Sequence, residues 1–193
     1  MKNIIKIAGA TVLALALTQN IQASPIVGNI GFTGQVTLNS STPATATEVT
    51  SWVLPTVNGT SGVFAAPNPF AVAYGTAVSM AAPWSFVSGA VNNFWVVGGF
   101  TFNLTSSSII SQGGTSPNTG FVVVDGTGIV SGNGYTPTAM TWSFSVSDPE
   151  ANNEIPTWTI QASSASVPDG GATVMLLGIA LSGVALLRKK LTA

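Results

Sequence analysis

Across its central part the chain is written in alternation. Ile30, Phe32, Val36 and Leu38 are interleaved with Gly31, Thr33, Gln35 and Thr37. Phe100, Phe102 and Leu104 are interleaved with Thr101, Asn103 and Thr105. Met140, Trp142, Phe144 and Val146 alternate with Thr141, Ser143, Ser145 and Ser147, and Trp158 and Ile160 with Thr157, Thr159 and Gln161. Successive side chains of a strand point to opposite faces, so each run sets apolar groups on one face and hydroxyls on the other, as a half-buried strand requires. Further strands are expected near 47–54, 93–98 and 119–131. Asn58-Gly59, Gly113-Gly114 and Asn133-Gly134 read as turns. Asp125-Gly126 reads as a hairpin turn or as a bulge within one long strand from Gly120 to Ser131. The bulge is preferred, because Gly inside a strand often marks one. No helical period interrupts this region. The expected fold class is all-β: an antiparallel β-sandwich or barrel-like domain of about eight to ten strands.

The two ends follow a different pattern. Lys2 and Lys6 precede an eleven-residue apolar run, Ile7 to Leu17, and Ala23 is a small residue suited to the position before a cut. That order is a secretory signal peptide over 1–23, with signal peptidase cutting between Ala23 and Ser24 after passage through the Sec translocon. At the other end an apolar run from Ala172 to Leu187 is followed at once by Arg188, Lys189 and Lys190. Sixteen helical residues span about 24 Å. The hydrocarbon core is about 30 Å thick, so this is a short transmembrane helix, lengthened by snorkelling cations. The positive-inside rule puts Arg188 to Lys190 in the cytoplasm and the central region outside, in agreement with the N-terminal signal. The resulting division is a signal peptide at 1–23, an exported β domain at 24–161, a linker at 162–166 and a C-terminal unit at 167–193.

Charge sharpens this picture. Only 6% of residues are charged, and there is no His or Cys. The five cations are the two at the start and the three at the end, so nothing between Ile7 and Leu187 is basic. Phosphate backbones are held by Lys and Arg, which excludes nucleic acid as a partner. Without His and Cys the usual zinc, haem and iron–sulfur ligand sets are missing, and no cofactor of those kinds is expected. No catalytic residue is expected either, since the exported region has no His, Lys, Arg or Cys to act as base for a Ser nucleophile. The protein therefore reads as non-enzymatic. A hydroxyl-rich surface without cations suits neutral polysaccharide through hydrogen bonds, or acidic polysaccharide through bridging Ca²⁺. Low charge and long β-runs also predict self-association at unprotected strand edges.

Between linker and helix stands Val167-Pro168-Asp169-Gly170-Gly171. Motif, short apolar helix and basic stop together resemble the PEP-CTERM class of bacterial sorting signals, in its VPDGG/VPDSG variant. The resemblance covers about the last 27 residues. It implies recognition of the tail by an exosortase, a membrane transpeptidase or protease, and transient residence in the inner membrane. It further implies delivery to the cell surface, outer envelope or extracellular matrix, in company with exopolysaccharide and biofilm.

Two weaker features complete the reading. Asp148, Glu150 and Glu154 cluster within SDPEANNE. Pro149, Asn152 and Asn153 make this a solvated acidic turn in its plain reading, with a Ca²⁺ site of carboxylate and amide oxygens as the functional alternative. Trp142 and Trp158 fall on apolar faces, whereas Trp84 and Trp95 follow loop-like stretches. Exposed, those two rings would offer stacking surfaces for a glycan on a displayed carbohydrate-binding module.

Overall fold

The computed structural model describes residues 23–115, 119–147 and 157–164. Nine strands account for most of them: β1 (Gly28–Leu38), β2 (Glu48–Thr60), β3 (Ser79–Met80), β4 (Trp84–Ser85), β5 (Val91–Val97), β6 (Phe100–Gly113), β7 (Phe121–Gly132), β8 (Tyr135–Ser147) and β9 (Thr157–Ser164). All pair antiparallel in one sheet of order β3-β5-β6-β7-β8-β9-β1-β2-β4. The sheet is strongly curled into a half-barrel, so the fold is all-β but built from one sheet rather than from two packed as a sandwich. Among the described residues the helical turns are two 3-10 segments of three residues each, and no helix is long and apolar enough to cross a membrane. The expected signal helix and transmembrane helix both lie outside the described residues.

The alternation read from the sequence sets which face is inside. Ile30, Phe32 and Val36 of β1, Phe100, Phe102 and Leu104 of β6, and Met140, Trp142, Phe144 and Val146 of β8 are buried in one core within the curl. The core is aromatic at its centre. The Trp84 ring meets Phe94, Trp142 and Phe86 with centroids 5.1–5.3 Å away, all edge-on. Trp95 stacks on Phe102 at 5.4 Å and 13° and meets Phe32 edge-on at 5.2 Å. Such pairs add to the large apolar area each ring removes from water.

Two local expectations are corrected. Asn58-Gly59 is no turn: it lies inside β2, with Gly59 opposite Gly31. Asp125-Gly126 is no bulge, because the β7–β8 register runs unbroken from Phe121 opposite Ser147 to Val130 opposite Thr138. The register shifts fall instead in the facing strand β6, between Leu104 and Ser106 and between Ile109 and Ser111. Gly126 is needed for another reason. A Cβ there would land on the Trp142 indole nitrogen and on the Ser106 carbonyl. The single long strand was expected, however, as was the turn at Asn133-Gly134. Those two residues have φ of 50° and 78°, both positive as a two-residue type I′ hairpin demands.

Among the described residues, the outer edges of β2 and β5 are partly paired by one segment and not left wholly open. The segment 75–88 spans from one edge to the other. Along β2 it is held by Val57 N–H to the Thr76 carbonyl (2.9 Å), Gly75 N–H to the Val57 carbonyl (2.8 Å) and Val78 N–H to the Pro55 carbonyl (2.9 Å). It then pairs with β5 through β3 and through Ala81 N–H to the Phe94 carbonyl (2.9 Å). It returns to β2 through β4. Strands at the limits of the sheet are thus two residues long, one of the ways natural sheets blunt their edges.

Candidate functional site

Two places on this fold carry functional interest: the point where both chain ends leave, and a groove on the outer face. At the first, the chain begins to pair immediately after the expected signal cut. Ala23 and Ser24 are exposed. The Thr136 hydroxyl donates to the Ala23 carbonyl, and the Thr136 N–H to the Ser24 carbonyl at 3.0 Å. Ile26, fully buried, donates its N–H to the Thr138 hydroxyl at 2.9 Å and accepts from the Ser164 hydroxyl at 2.7 Å. Gly28 faces Ser164 across the β1–β9 ladder. The first and last residues of the described domain are therefore tied to one another by buried hydrogen bonds. β9 runs to Ser164, so residues 162–164, expected in the linker, belong to the strand. Only Ala165 and Ser166 separate that strand from Val167, at most about 11 Å of extended chain.

The second place lies on the outer face, where the hydroxyl positions of neighbouring strands fall into register. Ser108 faces Asp125, Asp125 faces Ser143, and Ser143 faces Gln161. One step along, Ser106 faces Thr127, Thr127 faces Thr141, and Thr141 faces Ser163. These two rows line a groove of about 600 Å³. Strands lie about 4.8 Å apart, so each row of four extends about 15 Å across the sheet. Gly31 shapes the end of the first row. A Cβ there would collide with the Asn58 amide oxygen and sit 2.8 Å from the Gln161 amide nitrogen. Its absence lets both amides occupy that space. Beneath the groove floor, the Trp142 indole lies over Gly126 in the core, its nitrogen buried without a partner among the described residues.

The residues expected from sequence fare differently. Trp84 and Trp95 are 1% and 0% exposed, so neither ring offers a face to a glycan. Trp84 opens an inward-outward alternation through Ser85, Phe86 and Val87, with Trp84 and Phe86 inside. Trp95 is turned in by an irregularity of β5. Asn93 has φ of 51°, its N–H is taken by the Asn103 side chain at 2.8 Å, and the register against β6 shifts between Val91 and Trp95. Phe94 and Trp95 consequently both face the core, which simple alternation forbids. Trp142 is buried as expected. The acidic cluster Asp148, Glu150 and Glu154 lies outside the described residues, as do Val167 to Gly171 and Arg188 to Lys190. The groove residues Ser108, Asp125, Ser143 and Gln161 were not singled out from sequence. The signal that would have found them is their place on the polar phase of the alternation in four strands, which becomes a site only once the registers are known.

No curated protein and no solved structure matches the chain. The model of the VPDSG-CTERM motif matches residues 166–191, with Gly170 where the motif's name has Ser. That match begins two residues beyond the end of β9. The C-terminus of this chain therefore carries a VPDSG-CTERM sorting motif, which marks it for export to the cell envelope or surface.

Proposed function

We propose that this is a non-enzymatic, cofactor-free structural protein of the cell surface or extracellular matrix, embedded in exopolysaccharide and sorted by its C-terminal tail. It enters the Sec translocon, loses residues 1–23 to signal peptidase between Ala23 and Ser24, and is held in the inner membrane by a helix over 172–187. An exosortase-type enzyme then acts at Val167-Pro168-Asp169-Gly170-Gly171 and frees the β domain outward. The observation that carries this reading is the motif match at 166–191, placed at the immediate end of a folded domain. The signal peptide supports it from the other end, since both topologies put the domain outside.

The test is the intact mass of the protein recovered from cell surface and medium, with and without Val167 to Gly171 replaced by Ala. The wild-type chain is expected to begin at Ser24 and end within Val167 to Gly171, and the variant to remain full length at its C-terminus in the inner membrane. If both forms keep Arg188 to Ala193, the tail is a membrane anchor and processing at the motif is wrong.

A further inference from the structure

We infer that the outer-face groove is a binding site for a neutral oligosaccharide, held by hydrogen bonds from its two polar rows and not by ring stacking. Three observations on the groove converge. The first is its chemistry. Ser108, Ser143 and Thr127 each offer a hydroxyl that both donates and accepts, Gln161 offers an amide that does both, and Asp125 offers an acceptor-only carboxylate. A polyol presents the matching set: a vicinal diol gives two donors to one carboxylate, and its oxygens accept from hydroxyl and amide. Among the described residues no hydrogen bond engages the side chains of Ser108, Asp125, Ser143 or Gln161, so these groups are free to take a ligand.

The second is where polarity stops. On β7 the outward positions run Phe121, Val123, Asp125, Thr127, Ile129. Phe121 and Ile129 are 37% and 41% exposed on that same face, so apolar groups are tolerated there outside the groove. Within the groove the outward positions of β6, β7, β8 and β9 are all polar. Polar positions continue beyond the groove on β8, at Ser145 and Ser147, so it is along β7 that the polar stretch coincides with the depression.

The third is size and charge. A volume of about 600 Å³ lies within the range of ligand sites. The rows, about 15 Å long, exceed a single sugar ring and suit a chain of several. With one carboxylate and no cation the groove repels polyanions, which separates neutral glycans from uronate-bearing ones.

This deepens the matrix reading above and rests on it only for where the ligand is met. The test uses the full-length, unprocessed chain in dodecylphosphocholine micelles, so sorting plays no part in it. ¹⁵N-labelled protein is titrated with cellohexaose, maltohexaose and, as the acidic comparison, a hyaluronan hexasaccharide. A neutral hexasaccharide is expected to give saturable amide shifts centred on Asp125, Ser143 and Gln161, while the acidic one gives none. Asp125→Ala is expected to weaken binding about tenfold, the loss of hydrogen bonds to a charged group. Ser143→Trp, which fills the groove from the solvent side, is expected to abolish it with circular dichroism unchanged. The inference is overturned if neither neutral sugar gives a saturable shift, if the shifts map elsewhere, if the acidic sugar binds as well, or if Ser143→Trp binds like the parent. A negative result here leaves the sorting reading intact, and a failed mass test leaves this one intact.

Discussion

The two faces of one strand, β8, show how this protein divides its labour. Its inward residues Met140, Trp142, Phe144 and Val146 are part of a dense aromatic core, while Thr141 and Ser143, one position along, line a groove open to solvent. The strand has the same backbone for both faces and the same cross-strand partners. What differs is the solvent each side chain is placed in. Stability therefore resides almost wholly on the inside, and the outside is left open to be specified by recognition. This division also explains why tryptophan was a poor guide to function in this chain. A ring is worth most where it can be fully covered, and the curl provides that place.

The comparison can be broken first at its centre. Trp84→Ala removes a ring that contacts Phe86, Phe94 and Trp142 at once. We expect a loss of about 3–5 kcal/mol, read as a large drop in the urea midpoint. Gly126→Ala places a methyl group against the Trp142 indole and the Ser106 carbonyl from the inner side. It is expected to cost about 2–3 kcal/mol, the price of overpacking, although the same Gly viewed from outside sits in a roomy groove. Thr138→Val leaves the buried Ile26 N–H without its acceptor. The expected cost is about 1–2 kcal/mol, with faster hydrogen exchange at Ile26 as its local signature. Thr127→Ala, on the outer face of β7, should change stability by less than about 0.5 kcal/mol. An outer-face change as costly as Gly126→Ala would mean that the groove is part of the fold's support and not a surface set aside for a ligand.

Much of the fold was legible because alternation is a direct record of two-sided burial. β1, β6 and β8 announce themselves in this way, and Asn133-Gly134 carries the one dipeptide whose backbone preference demands a tight hairpin. Where the reading failed, the cause was irregular backbone. β2 was expected to end before Asn58, but it continues through Leu54, with φ of 48°, and through several register shifts against β1. A strand that absorbs such kinks hides its period. β5 did the same at Asn93 and carried Trp95 inward. Glycine misled in two directions: Gly59 sits in a strand where a turn was expected, and Gly126 is required by an indole rather than by a bulge. The groove was invisible for a different reason. Its residues are individually ordinary Ser, Thr, Gln and Asp, and only the pairing registers of four strands bring them into line. The sorting signal is the opposite case, since its order of motif, apolar run and cations is entirely local.

β9 is the last of the described strands along the chain, yet it lies between β8 and β1 in the middle of the sheet. During export from N- to C-terminus, β1 and β8 cannot be joined until the residues of β9 have crossed. For that interval both present unsatisfied edges to their surroundings. The strand that seals them emerges immediately ahead of the tail. On the export route proposed above, completion of the sheet and arrival of the sorting signal at the membrane would fall at the same moment, so a chain still open to aggregation would not yet have shown its tail.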